Sequence, residues 1–200
     1  MSSPFETVFL KKGFLGDNGL WVKIARGFFS ELKLEELASA LPLEQNTVTF
    51  YGKTINVPRL ISWHGPYDYT YGGQVNKAAP WPSRLVEIRQ RVEEVVAAKF
   101  DSCLCNFYRD RNDSVGWHAD DEPQVGPVVA SVSFGATRRF LMTPKEGFYK
   151  YTEYPLSHGD LFVMGPGVQQ AWKHSIPKEK GYVGPRLNLT FRQTLFTPEA

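Results

Sequence analysis

The chain has 200 residues, of which 42% are hydrophobic and 22% are charged, and its formal net charge is +2 at pH 7. These values predict one globular domain over residues 1–200 with a substantial core, and they leave little room for a second domain. The apolar runs are far too short to span a membrane, and Met1 to Pro4 contain neither a basic leader nor a lipidation signal. We therefore expect a monomeric protein of the cytoplasm, or of the nucleus in a eukaryote.

Two helices are predicted in the first half of the chain, after a lead-in of one or two strands over residues 1–27. Ser30 has the residue type of an N-cap, and Pro42 would end the first helix. Pro82 lies near the start of the second helix. The apolar positions with helical spacing are Leu34, Leu37, Ala38 and Leu41 in the first helix and Leu85, Ile88, Val92, Val95 and Val96 in the second. Such stripes are typical of helices that pack against a sheet.

Short segments of alternating polarity follow Phe100, separated by turns rich in Gly, Pro, Asn and Asp. The clearest segments cover residues 128–134, 139–142, 161–164 and 186–194. This spacing is typical of an antiparallel sandwich or barrel, so the predicted fold class is mainly β with flanking helices (α+β). Cys103 and Cys105 are two apart in one strand, where they cannot bond readily to each other, and we expect both to be reduced core residues.

The segment Trp117-His118-Ala119-Asp120 carries the strongest chemical signal. On a strand, residues i and i+2 face the same side, so His118 and Asp120 project together, and His174 from a second strand can complete one face of an octahedron. Two imidazoles and one carboxylate, with the opposite face open, suit non-haem Fe(II) that takes up a co-substrate and O₂. Since a His-x-Asp triplet is also common at turns and surfaces, the assignment depends on its surroundings.

Two alternating runs, residues 102–108 and 186–192, supply those surroundings. Their polar faces consist of Asn106, Tyr108, Arg186, Asn188, Thr190 and Arg192. Alternation alone is equally expected of half-buried strands whose polar face lies in water. If both faces instead point into one barrel, they suit a small dianion, because guanidinium binds carboxylate bidentately and Tyr and Asn add neutral donors. A 2-oxo dicarboxylate that chelates the iron would be such a dianion.

Together these motifs resemble the AlkB family of Fe(II)- and 2-oxoglutarate-dependent nucleic-acid demethylases, from about residue 28 to residue 196. The motifs that carry the resemblance are Asn106-Phe107-Tyr108, His118-x-Asp120, His174, Arg186-x-Asn188-x-Thr190-Phe191-Arg192, Pro58-Arg59, Tyr69-Thr70-Tyr71-Gly72-Gly73, Pro80-Trp81-Pro82, Asp120-Asp121-Glu122, Ser133-Phe134-Gly135-Ala136-Thr137-Arg138 and His158-Gly159-Asp160-Leu161. The resemblance implies a catalytic jelly-roll (double-stranded β-helix) over residues 101–196, preceded by helices and a nucleotide-recognition region over residues 28–100. It also implies Fe(II), 2-oxoglutarate and O₂, and DNA repair by demethylation of 1-methyladenine or 3-methylcytosine in DNA, or of the same bases in RNA.

The resemblance further assigns roles within the site. The implied metal ligands and catalytic residues are His118, Asp120 and His174. Arg186 would bind the distal carboxylate of 2-oxoglutarate with help from Tyr108 and Asn106, while Arg192 would lie nearer the C1 carboxylate. The remaining members of that wall would be Asn188 and Thr190.

Substrate contacts are predicted from charge and aromatic character as well. Adenine methylated at N1 and cytosine methylated at N3 are cationic, so a carboxylate in the pocket would favour them. The resemblance implies that Glu122, with Asp121 beside it, meets the exocyclic amine, unless this acidic segment is a solvated loop. Tyr71 is expected to stack on the base as a lid. The segment Phe50-Tyr51-Gly52-Lys53 looks like a hairpin tip, and the resemblance to duplex-acting relatives implies that it wedges into duplex DNA, unless Phe50 faces the core. The segment from Ser133 to Arg138, by contrast, also resembles relatives that prefer single strands. The candidate cations for a phosphate-binding surface are Arg59, Arg138, Arg139, Lys11, Lys12, Lys53, Lys173, Lys178 and Lys180. Fewer than about half of them are expected to touch phosphate, because most exposed lysines are merely solvated.

Other functions stay open at this stage. The same chemistry could act on a small molecule or a protein side chain, and the fold could also serve as a catalytically silent nucleic-acid-binding domain. A structural jelly-roll or a Zn-binding cupin would need no paired arginines, so Arg186 and Arg192 argue against both. His158 is expected to be a turn residue, and His64, which stands where AlkB relatives often have tyrosine, is given no role.

Overall fold

The computed structural model describes residues 3–12, 15–50, 53–71, 74–146 and 150–195. The strands are β1 (Glu6–Lys12), β2 (Leu15–Ala25), β3 (Glu44–Phe50), β4 (Lys53–His64), β5 (Tyr69–Tyr71), β6 (Gln74–Asn76), β7 (Ser102–Tyr108), β8 (Val115–His118), β9 (Val129–Gly135), β10 (Arg138–Pro144), β11 (Thr152–Leu156), β12 (Leu161–Met164), β13 (Trp172–Ile176) and β14 (Arg186–Arg192). The helices are α1 (Leu34–Ser39), α2 (Ser83–Val96) and α3 (Val168–Ala171). The two predicted helices and the four strand segments are confirmed, with shifts at their ends.

The strands form two facing antiparallel sheets and one small hairpin. The larger sheet has the order β1-β2-β12-β9-β14-β7-β4-β3, the smaller one β11-β10-β13-β8, and β5 pairs with β6. Non-consecutive neighbours such as β12, β9 and β14 are typical of a jelly-roll, in which the chain crosses repeatedly between the two sheets. The predicted jelly-roll is therefore confirmed, and β14 lies near the middle of the larger sheet between β9 and β7.

Helices α1 and α2 cover the outer face of the larger sheet. The apolar stripe of α2 buries Leu85, Ile88 and Val92 in one cluster with the odd-numbered residues of β14, Leu187 and Leu189 among them. This packing turns the even-numbered residues of β14 toward the space between the sheets. The predicted packing of both helices against one side of a sheet is confirmed.

The space between the two sheets is filled at one end by a second apolar cluster. Phe140, Met142 and Trp172 of the smaller sheet pack there against Phe162 and Met164 of the larger sheet. This cluster closes the interior at that end, so the polar faces of β7 and β14 meet in the cavity that remains.

The first helix begins later than the sequence predicts. Ser30 is not its N-cap, because the main chain before Leu34 forms turns that are tied to a remote loop: the Phe29 amide donates to the Gly159 carbonyl at 3.0 Å. Gly159 has φ +78°, and a Cβ there would lie 2.6 Å from the Ser30 nitrogen. The close approach of these two segments therefore determines where α1 can start.

Cys103 and Cys105 are free and fully buried, as predicted, with their sulfurs 3.8 Å apart. Among the described residues, no helix combines the length and the apolar character needed to cross a lipid bilayer.

Candidate metal and co-substrate site

Three potential metal ligands meet where β8 and β13 pair. His118 ends β8 and lies directly opposite His174 on β13, and Asp120 follows two residues later. The ligand atoms of the three side chains all lie within 4.8 Å of one another, and His118 Nε2 is 3.9 Å from Asp120 Oδ1. In the described part of the chain, this is the one group of three His, Cys, Asp or Glu side chains close enough to hold a metal ion. The predicted convergence of His118, Asp120 and His174 is confirmed, but the prediction that His118 and Asp120 lie on one strand is wrong, since β8 ends at His118 and Asp120 lies in the loop that follows.

Asp120 is held from two directions. Its amide donates to Gln169 Oε1 at 3.0 Å, and its Oδ1 accepts a hydrogen bond from Arg192 Nη2 at 2.7 Å. Burial alone would raise the pKa of Asp120, but the charges of Arg192, His174 and His118 lower it below its ordinary value. The carboxylate is therefore kept in the charged form that binds a cation.

Each histidine is held in place by a neighbouring group. His118 Nδ1 lies 2.9 Å from the Gly116 carbonyl, which can only accept, so Nδ1 carries a proton and Nε2 is the ring nitrogen that a metal would take. His174 stacks on Phe140 with ring centroids 5.0 Å apart. Burial, with the charges of His118 and Arg192 acting in the same direction, lowers the pKa of His174 to about 3. Two imidazoles and a carboxylate are the ligand set that Fe(II) takes in oxygenases.

The polar faces of β7 and β14 line the same cavity as the triad. In their antiparallel register Arg186 lies opposite Tyr108 and Asn188 lies opposite Asn106. Thr190 and Arg192 continue the same face, and the hydroxyl of Thr190 accepts from Asn188 Nδ2 at 2.8 Å. The prediction that both polar faces point into one barrel is confirmed, and the alternative of a solvated face is wrong, since all seven residues of β14 are buried.

Two buried arginines give this cavity unused donors. Arg186 Nη2 donates to Ser133 Oγ and Asn188 Oδ1, each at 2.8 Å, but its Nε and Nη1 make no hydrogen bond of ordinary geometry within the described residues. Arg192 likewise donates through Nη2 to Asp120, while its Nε and Nη1 lack a partner of this kind in the same part of the chain. Burying an N–H group without an acceptor costs free energy, so an anion that accepts hydrogen bonds from these groups would stabilise both guanidiniums. A dicarboxylate fits this donor set.

Arg59, which the sequence places at a phosphate-binding surface, lies inside this cavity instead. It is only 7% exposed, and its Nε donates to Asn106 Oδ1 at 2.6 Å. Its Nη1 lies 3.3 Å from the Ser114 carbonyl. The surface assignment of Arg59 is therefore wrong, because the cavity wall supplies acceptors that only the folded chain brings to it.

Glu122 lies in the wall of a second cavity, of about 550 Å³, which shares Tyr69 and Arg192 with the first one. Glu122 Oε1 accepts from the Tyr69 hydroxyl at 2.7 Å, whereas Oε2 is buried and has no hydrogen-bond partner among the described residues. The Tyr69 ring stacks on Trp63 with centroids 4.7 Å apart. Glu122 is thus part of a built pocket and not of a freely solvated loop, while Asp121 is exposed and pairs with Lys145 at 2.6 Å.

Some of the remaining predicted substrate contacts lie outside the described residues. Tyr71 ends β5, but its side chain lies outside the described residues, as does that of Phe50. Phe50 pairs with Lys53 across the turn, so the predicted hairpin is confirmed, while Tyr51 itself lies outside the described residues.

Arg138 does not reach the surface where the sequence places it. The side chain is fully buried and donates to the main-chain carbonyls of Asp110, Asp113 and Pro177 at 3.1, 2.7 and 2.7 Å. Since a fully enclosed guanidinium presents no surface to a phosphate, the predicted phosphate contact of Arg138 is wrong for this structure.

Two residues of the site, Tyr69 and Gln169, received no predicted role from the sequence. Tyr69 had a usable signal in the sequence, because residues two apart on a strand are expected to share a face and Tyr71 was already a predicted substrate contact. No sequence signal marks Gln169, because its hydrogen bond with Asp120 joins α3 to a loop 49 residues away in the chain.

Comparisons with known proteins agree with this geometry. The family profile described as the 2OG-Fe(II) oxygenase superfamily matches residues 23–192. The chain is 44% identical over 170 residues to "Alpha-ketoglutarate-dependent dioxygenase alkB homolog 3" of Mus musculus, covering 80% of this chain and 59% of that protein. It is 38% identical over 161 residues to "DNA oxidative demethylase ALKBH2" of Mus musculus, covering 75% and 67%. The solved structure titled "The structure of OsALKBH1" matches 94% of this chain and 100% of its own with a TM-score of 0.63 and 18% identity, which shows the shared fold.

The chain therefore belongs to the 2OG-Fe(II) oxygenase superfamily and, within it, to the AlkB family. It spans 59% of the length of the mouse alkB homolog 3. Members of this superfamily use Fe(II), 2-oxoglutarate and O₂. The triad of His118, Asp120 and His174 fits Fe(II). The two buried arginines, each with donors that lack a partner among the described residues, fit 2-oxoglutarate.

Proposed function

We propose that this protein oxidatively removes methyl groups from ring nitrogens of nucleic-acid bases, 1-methyladenine and 3-methylcytosine in DNA first among them, and so reverses alkylation damage. The observation that carries the proposal is the buried oxygen of Glu122 without a hydrogen-bond partner in the described structure, in a cavity that adjoins the metal site. The printed names of the mouse relatives, a dioxygenase and a DNA oxidative demethylase, support it.

The charge of the lesion explains why this pocket suits it. Methylation at N1 of adenine or N3 of cytosine makes the base cationic and prevents normal pairing, so the base is flipped out of a helix at lower cost. Glu122 then has one oxygen for the exocyclic amine and a net charge that favours the cation. Tyr69, which holds the other oxygen, keeps the carboxylate in place.

The chain's residues prepare the reaction by placing the partners. Bound iron with 2-oxoglutarate and O₂ supplies the oxidation that converts an N-methyl group into a hemiaminal, which loses formaldehyde. Arg186 and Arg192 have unused donors for the two carboxylates of the co-substrate, Arg186 at the distal end and Arg192 near the triad. Asn106 and Tyr108 face Arg186 and Asn188 across the strand pair and complete the enclosure.

The decisive experiment incubates the protein with Fe(II), 2-oxoglutarate and ascorbate against oligonucleotides that carry 1-methyladenine, 3-methylcytosine or 1-methylguanine, each single- and double-stranded, in DNA and in RNA. Mass spectrometry of the oligonucleotides is expected to show loss of the methyl group, fastest for the cationic lesions in DNA. Turnover of 2-oxoglutarate that no oligonucleotide raises would point to a small-molecule or protein substrate instead. Failure to bind iron in a titration would reduce the chain to a silent binding domain.

We also propose that the protein acts as a monomer and that it works in the cytoplasm, or in the nucleus of a eukaryote, where its nucleic-acid substrate lies. Size-exclusion chromatography with light scattering tests the first, and imaging of the tagged protein in its host tests the second.

A further inference from the structure

Arg138 is a buried cation that none of the roles above uses. It sits at the start of β10 and fastens two other parts of the chain through main-chain carbonyls, those of Asp110 and Asp113 after β7 and that of Pro177 after β13. Burying a guanidinium costs free energy even with such partners. A purely structural connection could be made by a neutral side chain, so the charge itself calls for an explanation.

The second contact of Arg138 is with the co-substrate wall. Its Cζ lies 5.3 Å from the centroid of the Tyr108 ring, and the Cζ of Arg186 lies 5.4 Å from the same centroid. Tyr108 is 3% exposed and lines the cavity that holds the triad. The ring is therefore fixed by two guanidiniums, and cation–π contacts of this kind are stronger where water is excluded.

The charge of Arg138 is only partly balanced. Its Nε lies 3.6 Å from Glu179 Oε1, but Glu179 is bound more closely by Arg139, whose Nε is 2.8 Å from Oε2. Burial is the main cause that lowers the pKa of Arg186 to about 10, and the charge of Arg138 adds to it. Arg186 lines the pocket and Arg138 does not, but both contact the Tyr108 ring, and the two cations repel each other until an anion binds.

We propose that Arg138 is a positioning residue for the co-substrate that also helps to select a dicarboxylate. It holds the Tyr108 ring beside Arg186 at the distal end of the pocket, and its charge adds to the potential that a second carboxylate meets there. A 2-oxo acid of the same length without that carboxylate gains nothing from either effect. This inference rests on the family's use of 2-oxoglutarate and not on the nature of the methylated substrate.

A role in folding alone makes a different prediction. If Arg138 only held Asp110, Asp113 and Pro177 together, its loss would lower the melting temperature. It would also weaken the binding of every 2-oxo acid to the same extent. The ratio between a dicarboxylate and a monocarboxylate therefore separates the two roles.

The test measures binding without turnover. The protein is loaded with Mn(II), and its affinity for 2-oxoglutarate and for 2-oxopentanoate is determined by isothermal titration calorimetry, the weaker ligand by competition. For Arg138→Met, Kd for 2-oxoglutarate is expected to rise about tenfold, and Kd for 2-oxopentanoate by less than about twofold. For Arg138→Lys, which keeps the charge but not the planar group, a rise of about threefold for 2-oxoglutarate is expected.

Arg139→Met is the matched control, because Arg139 is adjacent, binds the same Glu179 and has no cation–π contact with Tyr108 among the described residues. Both of its Kd values are expected to stay at the wild-type level. Equal weakening of the two ligands by Arg138→Met, or an unchanged Kd for 2-oxoglutarate, would overturn the proposal. If Arg138→Met does not fold, the test depends on Arg138→Lys. In that case, a ratio of the two Kd values equal to the wild-type ratio overturns the proposal. The nucleic acid takes no part in this assay, so a negative result leaves the proposed demethylation untouched.

Discussion

Replacing Arg186 with methionine tests whether the buried guanidinium exists for the co-substrate. The side chain is 1% exposed, and only Nη2 has hydrogen bonds of ordinary geometry in the described structure, to Ser133 and Asn188. In the wild-type complex Nε and Nη1 would both donate to the distal carboxylate of 2-oxoglutarate. Hydrogen bonds between charged groups contribute about 1.5–3 kcal/mol each and are not additive, so we expect a loss of about 2–4 kcal/mol. This corresponds to a Kd for 2-oxoglutarate that rises by roughly 30- to 700-fold.

The same substitution is expected to spare the protein without ligand. Burial lowers the pKa of Arg186 to about 10, so the fold holds this charge at a cost in free energy while no anion is bound. Methionine removes this cost and keeps most of the volume, although Ser133 and Asn188 lose a donor. The free energy of unfolding of the apoprotein should therefore stay within about 1 kcal/mol of the wild-type value.

Thermal unfolding at rising concentrations of 2-oxoglutarate, with Mn(II) present, checks both expectations. The wild type should gain melting temperature with ligand concentration, because a ligand that binds the folded state stabilises it. Arg186→Met should start from nearly the same temperature and respond only at much higher concentrations. A variant whose apoprotein is strongly destabilised, or whose response to 2-oxoglutarate equals that of the wild type, would show that Arg186 serves the fold and not the co-substrate.

Three further predictions concern the substrate and the stability of the fold. Glu122→Gln should lower the demethylation rate on the cationic 1-methyladenine and 3-methylcytosine more than on the neutral 1-methylguanine, and equal losses would remove the charge argument. Asp113→Asn should lower the free energy of unfolding by about 1 kcal/mol at pH 7, since its partner Arg109 is partly exposed and screened. Burial raises the pKa of Asp113, but its hydrogen bonds and ion pair with Arg109 outweigh this effect, so the pKa of Asp113 is lowered. The difference in the free energy of unfolding between variant and wild type is therefore present above a pH of about 4. Denaturant titrations should show that this difference vanishes as the pH falls below that value. Tyr51→Ala, which rests on the sequence, should slow repair in duplex DNA several-fold and spare a single strand, and a proportional loss on both would exclude a wedge.

Alternation within single strands was enough to predict the centre of the site. In β14 a side chain must point either to the helices or to the space between the sheets, so apolar Leu187 and Leu189 determine where Arg186 and Asn188 face. This is a local consequence of strand geometry, and it holds whichever strands become neighbours. The same period of two predicts that His118 and Asp120 share one side of a strand, but β8 ends at His118, and Asp120 is placed from the following loop by Gln169 and Arg192.

Tertiary structure decided which arginines are buried. The sequence predicts that Arg59 and Arg138 are surface cations, because no residue near them in the chain can offset the free energy of removing water from a guanidinium. In the fold Asn106 accepts from Arg59, and the carbonyls of Asp113 and Pro177, 25 and 39 residues away from Arg138, accept from it. The start of α1 depended in the same way on a contact with the remote Gly159. A buried charge is tolerated only where distant segments supply its partners, and the meeting of those segments is a property of the fold as a whole.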